Sequence, residues 1–219
     1  MQTGLLKLLT ALVFISCPAM AQVAKLYPVD EGPKDPSFKE FRDKLIEAAK
    51  NRDTKFVLNI LDPNITNSFG GDGGVKEFKE QWKPDDPNSE LWRILLEILS
   101  MGGSFEPKTK SFCAPYVFSN FPELDGFEHS AVIGEQVRVR EQPGLTSPTI
   151  ATLSYDIVAL PDRPIKPIKM DGLSWTAIKL SNGKTGFVSE QFIRSPIDYR
   201  ACFSKKNGKW RMNTLVAGD

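Results

Sequence analysis

Four carboxylates in the first half of the chain, Asp53, Asp62, Asp72 and Glu77, are the side chains most available for acid–base chemistry. General acid–base catalysis needs two such groups close together with their pKa values pushed apart, and the spacing of these four does not pair them. His129 is the only histidine. Its neighbours Glu128 and Ser130 form no catalytic carboxylate, cysteine or serine motif with it, so it reads as a surface or packing residue. There is no His-x-Glu-x-x-His metal motif and no Gly-x-Ser-x-Gly elbow. The residues therefore nominate no catalytic group, no metal ligand and no cofactor.

The glycine run Gly70-Gly71-Asp72-Gly73-Gly74 precedes an amphipathic stretch, and a helix N-terminus of that kind can hold an anion. No Lys-Ser/Thr pair follows the last glycine, and Asp72 would repel phosphate, so the run reads as a tight turn feeding a helix. A calcium loop counted from Asp62 fails at its twelfth place, which is Gly73.

Lys7 sits in an apolar stretch that ends in Ala19-Met20-Ala21. This is the pattern of a secretory signal peptide over residues 1–21, too short for a membrane span. Phe14-Ile15-Ser16-Cys17 loosely resembles a lipoprotein box, which makes lipidation at Cys17 the alternative to a free periplasmic or secreted protein. Cleavage after Ala21 leaves Cys113 and Cys202, both in strand-like runs. An exported compartment permits a disulfide between them; two buried thiols are the competing reading.

The elements that must position these groups come from periodicity. The chain has 219 residues, 41% apolar and 25% charged, with a net charge of +1. That is enough for two small cores and gives no bulk attraction to nucleic acid. Residues 22–36, rich in proline, read as an extended linker or arm. Ser37 and Glu40 form a capping-box pattern ahead of the stripe Phe38, Phe41, Leu45, Ala48. Asp53 caps a short helix that Asp62-Pro63 should stop; Val75, Phe78 and Trp82 share the face of a third; Ser89 caps a fourth, apolar one ended by Gly102-Gly103. The run from Phe112 to Phe118 has strand character.

From Val137 to Ile193 short alternating runs are divided by turn residues, as in a small β-barrel. Val137-Arg138-Val139-Arg140 is followed by Glu141-Gln142-Pro143, then Ser147-Pro148-Thr149-Ile150-Ala151-Thr152-Leu153. Later come Trp175, Ile178, Leu180, Asn182-Gly183 and Gly186-Phe187-Val188. This order and spacing resembles the bacterial SH3-like domains. Val137, Val139, Ile150, Leu153, Val158, Ile178 and Val188 would fill the barrel, with Asn182-Gly183 as a type I′ turn. The resemblance implies binding of a cell-wall peptide or protein segment, with Tyr155, Trp175 and Phe187 as candidate ligand-binding residues. The competing reading makes at least two of the three core aromatics, Phe187 among them. Two departures matter: Asp171-Gly172-Leu173-Ser174 stands before Trp175 where the family places an aromatic residue, and the loop from Pro161 to Pro167 is long. Groove specificity therefore does not carry over.

After the barrel, a strand from Ile197 to Phe203, an Asn207-Gly208 turn and a return strand from Trp210 to Val216 form a hairpin. Asn207-Gly208-Lys209-Trp210 resembles the closing hairpin of the nuclear-transport-factor-2-like α+β superfamily. A lone hairpin is marginal in water, so it should share a sheet with the helical half. The expected fold is α+β: helices on an antiparallel sheet formed by residues 37–128 plus 197–219, with an SH3-like barrel at 129–196 inserted before the final hairpin. The expected function is that of an exported cell-envelope binding or scaffold protein with a peptide, cell-wall or protein partner, no nucleic acid and no transmembrane span. The alternative is a small-molecule or acid–base pocket in the α+β part.

Overall fold

The computed structural model describes residues 24–163 and 165–218. The expected signal peptide, its cleavage site and Cys17 lie outside the described residues, as do Gln22 and Pro164.

Helix α1 (Pro36–Lys50) begins two residues earlier than the Ser37 capping pattern suggests. Asp35 is its N-cap: the carboxylate accepts from the backbone N–H of Ser37 and Phe38, and Pro36 opens the helix. The expected capping box does not form, because Ser37 is already helical and Glu40 pairs with Lys44 instead. Asp53 caps α2 (Thr54–Ile60), which passes directly into strand β1 (Leu61–Thr66). Asp62-Pro63 is thus the interior of a strand, not only a helix stop. Proline is tolerated there because β1 is the edge of its sheet, where no ladder donor is needed on the outer side. Next come α3 (Gly74–Trp82) and α4 (Glu90–Ser100), the latter capped by Ser89.

Strands β2 (Ser104–Phe105) and β3 (Phe112–Ala114) follow. The strand expected to reach Phe118 ends early: a cis peptide precedes Pro115 and the chain turns into the short helix α5 (Tyr116–Ser119). Eight strands then follow: β4 (His129–Val132), β5 (Val137–Arg140), β6 (Thr149–Leu153), β7 (Ile157–Ala159), β8 (Ile168–Met170), β9 (Leu173–Lys179), β10 (Thr185–Ser189) and β11 (Ile193–Arg194). The closing hairpin is β12 (Arg200–Lys206) and β13 (Lys209–Val216). Asn207 and Gly208 both have positive φ, the requirement of a type I′ turn. At Asn182-Gly183 only Gly183 does, so that loop is the three-residue kind closed by Leu180 and Lys184.

The protein is α+β with two sheets. The first has the order β1-β13-β12-β3-β2 and is antiparallel except for β1, which runs parallel to β13. It draws strands from both ends of the chain. A single core fills the space between this sheet and the helices: Phe38 of α1 stacks on Phe112 at 4.2 Å and meets Trp210 edge-on at 4.9 Å, while Leu91, Leu95 and Ile98 of α4 are fully buried. A disulfide joins Cys113 of β3 to Cys202 of β12, directly opposite in register, with Cα atoms 4.2 Å apart. That separation is close to that of a non-hydrogen-bonded antiparallel pair.

The second sheet has the order β11-β4-β7-β9-β10-β5-β6, with β8 paired to β9. Strand alternation puts Val137 and Val139 of β5 inward beside Val132, Val158, Ile178 and Val188, so the sheet wraps one small core. No pairing among the described residues joins β6 to β11, so the sheet is not a closed barrel. Ile150, expected inside, lies on the free edge strand and is 38% exposed. Among the described residues no helix is long and apolar enough to cross a membrane.

The segment before α1 is an arm fixed to both sheets rather than a free linker. Lys25 bridges to Asp156, Leu26 is buried, and Asp30 pairs with Gly103.

Candidate binding groove

Of the acids singled out from the sequence, three have structural partners. Asp53 caps α2. Asp62 is buried and pairs with Lys206, and its carboxylate also accepts from the N–H of Asn64. The Lys206 hydrogen bond and that N–H hold its pKa below the usual carboxylate range. Glu77 accepts from the Gly73 N–H and the Ser68 hydroxyl, so the glycine turn is filled by the protein's own carboxylate. Asp72 is exposed. His129 begins β4 and its Nδ1 lies 3.1 Å from the Asp125 carbonyl. Among the described residues no group of three or more His, Cys, Asp or Glu could hold a metal.

The three aromatic candidates do not share a site. Tyr155 sits in the β6–β7 turn at φ 58°, under the arm: its carbonyl accepts from Leu26 N–H and its ring meets Tyr27 at 5.5 Å. Nearby Tyr116 is pushed up to about 12 by burial, with Tyr155 adding to the shift. Phe187 is half-buried on β10, opposite Arg140, and belongs neither to the groove nor to the small core. Its neighbour Val188 takes the inward position, so alternation turns Phe187 out.

Trp175 alone lines a groove. It is 3% exposed and its indole N–H donates to the Met170 carbonyl at 3.1 Å, which fixes the ring as a floor. The groove above it measures about 310 Å³. Leu145, 52% exposed, and Phe192, 41% exposed, stand on its walls. Leu145 is positioned by its own N–H, which donates to Asp171 of the β8–β9 turn at 2.8 Å. Phe192 ends a 3-10 turn, Glu190–Phe192, between β10 and β11. Arg138 projects from β5 between the inward Val137 and Val139, and among the described residues its side chain has no hydrogen bond or ion pair. Arg140 is different: it donates to the Ser147 carbonyl and the Thr149 hydroxyl, holding the β5–β6 loop. Sequence reasoning missed Leu145, Phe192 and Arg138, because their value lies in two loops and strand β5 converging on one tryptophan.

A polar cleft marks the seam between the two sheets. Arg194 of β11 pairs with Glu97 of α4 and donates to the Tyr199 carbonyl at 2.8 Å. Glu190 and Asp198 line the same cleft. Crowding that strips water from the Asp198 carboxyl raises its pKa; Arg194 opposes this, and Glu97 and Glu190 add to it. Compared with known proteins, the chain matches no family model, no curated protein and no solved structure.

Proposed function

We propose that this is an exported binding protein of the bacterial cell envelope, in which the second sheet is an SH3-like unit that takes an extended peptide segment of a cell-wall or protein partner. The observation that carries the reading is the groove itself: two exposed apolar side chains, Leu145 and Phe192, flank a fixed tryptophan beside the uncommitted Arg138. A mostly apolar concavity with a few placed polar groups suits a ligand's side chain and fixes its orientation. Arg138 suits a carboxylate, which a guanidinium can bind through two hydrogen bonds. The disulfide between Cys113 and Cys202 supports export, since such bonds persist in oxidising compartments.

The test is a pull-down of the full mature chain on purified cell wall and on an array of envelope peptides. Binding should fall about tenfold in Arg138→Glu and in Leu145→Ser with Phe192→Ser, in line with the loss of an anchor of about 1.4 kcal/mol. Wild-type protein that binds neither substrate, or variants that bind as well as wild type, would overturn the reading. Clearing of cell wall in a zymogram would replace it with a hydrolase.

A further inference from the structure

The first sheet carries a second concavity of about 360 Å³, where the start of α1, the β2–β3 hairpin and the β12–β13 hairpin meet. Its apolar wall is Phe105 and Trp210. Lys34, Lys110 and Lys205 are on its lining, with Asp35 the only carboxylate there.

The hydrogen bonds decide what charge a ligand would meet. Asp35 is engaged by the α1 N-terminus: it accepts from the N–H of Ser37 and Phe38 and from the Ser37 hydroxyl at 2.6 Å. Ser37 Oγ in turn accepts from the Trp210 indole N–H at 3.1 Å and from Lys205 Nζ at 2.8 Å. This chain holds both the ring and the ammonium in place before any ligand arrives. Lys205 Nζ also lies 5.7 Å from the Trp210 ring centre. Lys34 is neutralised by Glu31 at 2.7 Å. Among the described residues the Lys110 side chain has no partner. Around the rim, Glu31 and Glu106 are turned to backbone donors, at Phe105 N–H and Thr109 N–H. Lys110 itself sits at φ 58°, a conformation that glycine adopts without strain, yet it carries a cation at the mouth of the pocket.

We propose that this pocket binds a small organic anion with a flat apolar body, its ring against Phe105 and Trp210 and its acidic group between Lys110 and Lys205; an aromatic carboxylate is the simplest member of that class. The volume lies at the lower end of small-molecule sites and suits about one or two rings. A bare inorganic anion would leave the aromatic wall unused, and a cation would meet Lys110 and Lys205 against the one carboxylate of Asp35, which is already turned to the α1 N-terminus.

The probe is 2-naphthoate, titrated into the full chain with its disulfide intact and followed by calorimetry. Naphthoate should bind saturably at one site. Lys110→Ala, on an exposed loop that leaves the core untouched, should weaken it by about five- to tenfold, and Lys205→Ala likewise. The cationic isostere 2-naphthylmethylammonium and inorganic sulfate should not bind. Arg138→Ala, in the Trp175 groove, should leave naphthoate binding unchanged, which separates this site from the peptide groove. The proposal falls if naphthoate does not saturate in the millimolar range, if the ammonium isostere binds as well, or if Arg138→Ala abolishes binding while Lys110→Ala does not.

Discussion

Arg42 of α1 and Asp30 of the arm meet in a two-pronged ion pair, Nη1 to Oδ1 at 2.6 Å and Nη2 to Oδ2 at 2.9 Å. The arginine side chain is only 10% exposed and the aspartate 40%. Asp30 also pairs through its backbone with Gly103, so one residue locks the arm to both a helix and the strand end of the first sheet. Asp30→Ala leaves a buried guanidinium without its counter-charge. It should cost about 2 kcal/mol, below the range for fully buried pairs because the aspartate faces water. A shift of the urea midpoint measures this, and Arg42→Met added to Asp30→Ala should recover part of the loss.

Gly103 is required by close approach rather than by its dihedral angles. A Cβ there would stand 2.1 Å from the Cys113 carbonyl oxygen and 3.0 Å from the Ala114 Cα, and backbone of a central sheet cannot step aside. Gly103→Ala should therefore lower stability by about 3 kcal/mol, read as a drop in melting temperature. Gly70→Ala, where a Cβ meets nothing within 4 Å, is the control and should change little.

Acid should unfold the protein through its engaged carboxylates. Asp30, Asp35 and Asp62 all have pKa values below their ordinary ones, owing first to side-chain hydrogen bonds from Arg42, Ser37 and Lys206 respectively. Groups depressed in the folded state stabilise it above the unfolded carboxylate pKa, about 4, and lose that contribution as pH falls through the folded value. Asp198 works in the opposite sense. Its pKa is raised, so its ionised form weakens the folded state, and that penalty grows as pH rises from the unfolded value through the folded one. Urea midpoints measured against pH should show Asp198→Asn more stable than wild type at neutral pH, with the difference vanishing towards pH about 3. Lys206→Ala should lower the midpoint at neutral pH and leave it nearly unchanged once Asp62 is protonated.

The sequence exposed the elements better than their partners. Helical stripes such as Phe38–Leu45 and the turn at Asn207-Gly208 follow from local rules, and the structure contains them. Strand β1 was hidden because Asp62-Pro63 is a helix-stop signal, and only its place at a sheet edge makes proline acceptable there. Tyr155 and Trp175 illustrate why sites are harder. Both are aromatic residues in β-rich sequence, yet the arm brings Tyr27 onto one while Leu145 and Phe192 open a groove over the other. Neither event is encoded near the residue concerned. Lys110 and Lys205 were passed over for the same reason: they are distant in sequence and become neighbours of one pocket only when β12 pairs with β3.

The helical half of the chain and the closing hairpin depend on each other. β12 and β13 occupy the middle of the first sheet, with β1 on one side and β3 on the other, so residues 61–114 contribute only flanking strands. Met212 and Leu215 of β13 and Phe203 of β12 are fully buried in the same core as Phe38 and Leu95. A chain ending at residue 196 would expose that core along its length, and its helices would have no face to pack on. A fragment of residues 37–128 should accordingly show no cooperative melt. The Cys113–Cys202 bond, spanning 89 positions, restricts the unfolded chain and is worth up to about 4–5 kcal/mol by loop entropy. Its replacement by serine at both positions should lower the unfolding free energy by up to that amount, read as a lower urea midpoint, while the β3–β12 ladder keeps the folded sheet intact. A cooperative transition from the isolated fragment would mean that the N-terminal half holds its own core without the hairpin, and a serine variant as stable as the parent would mean that the cross-link does not restrict the unfolded chain.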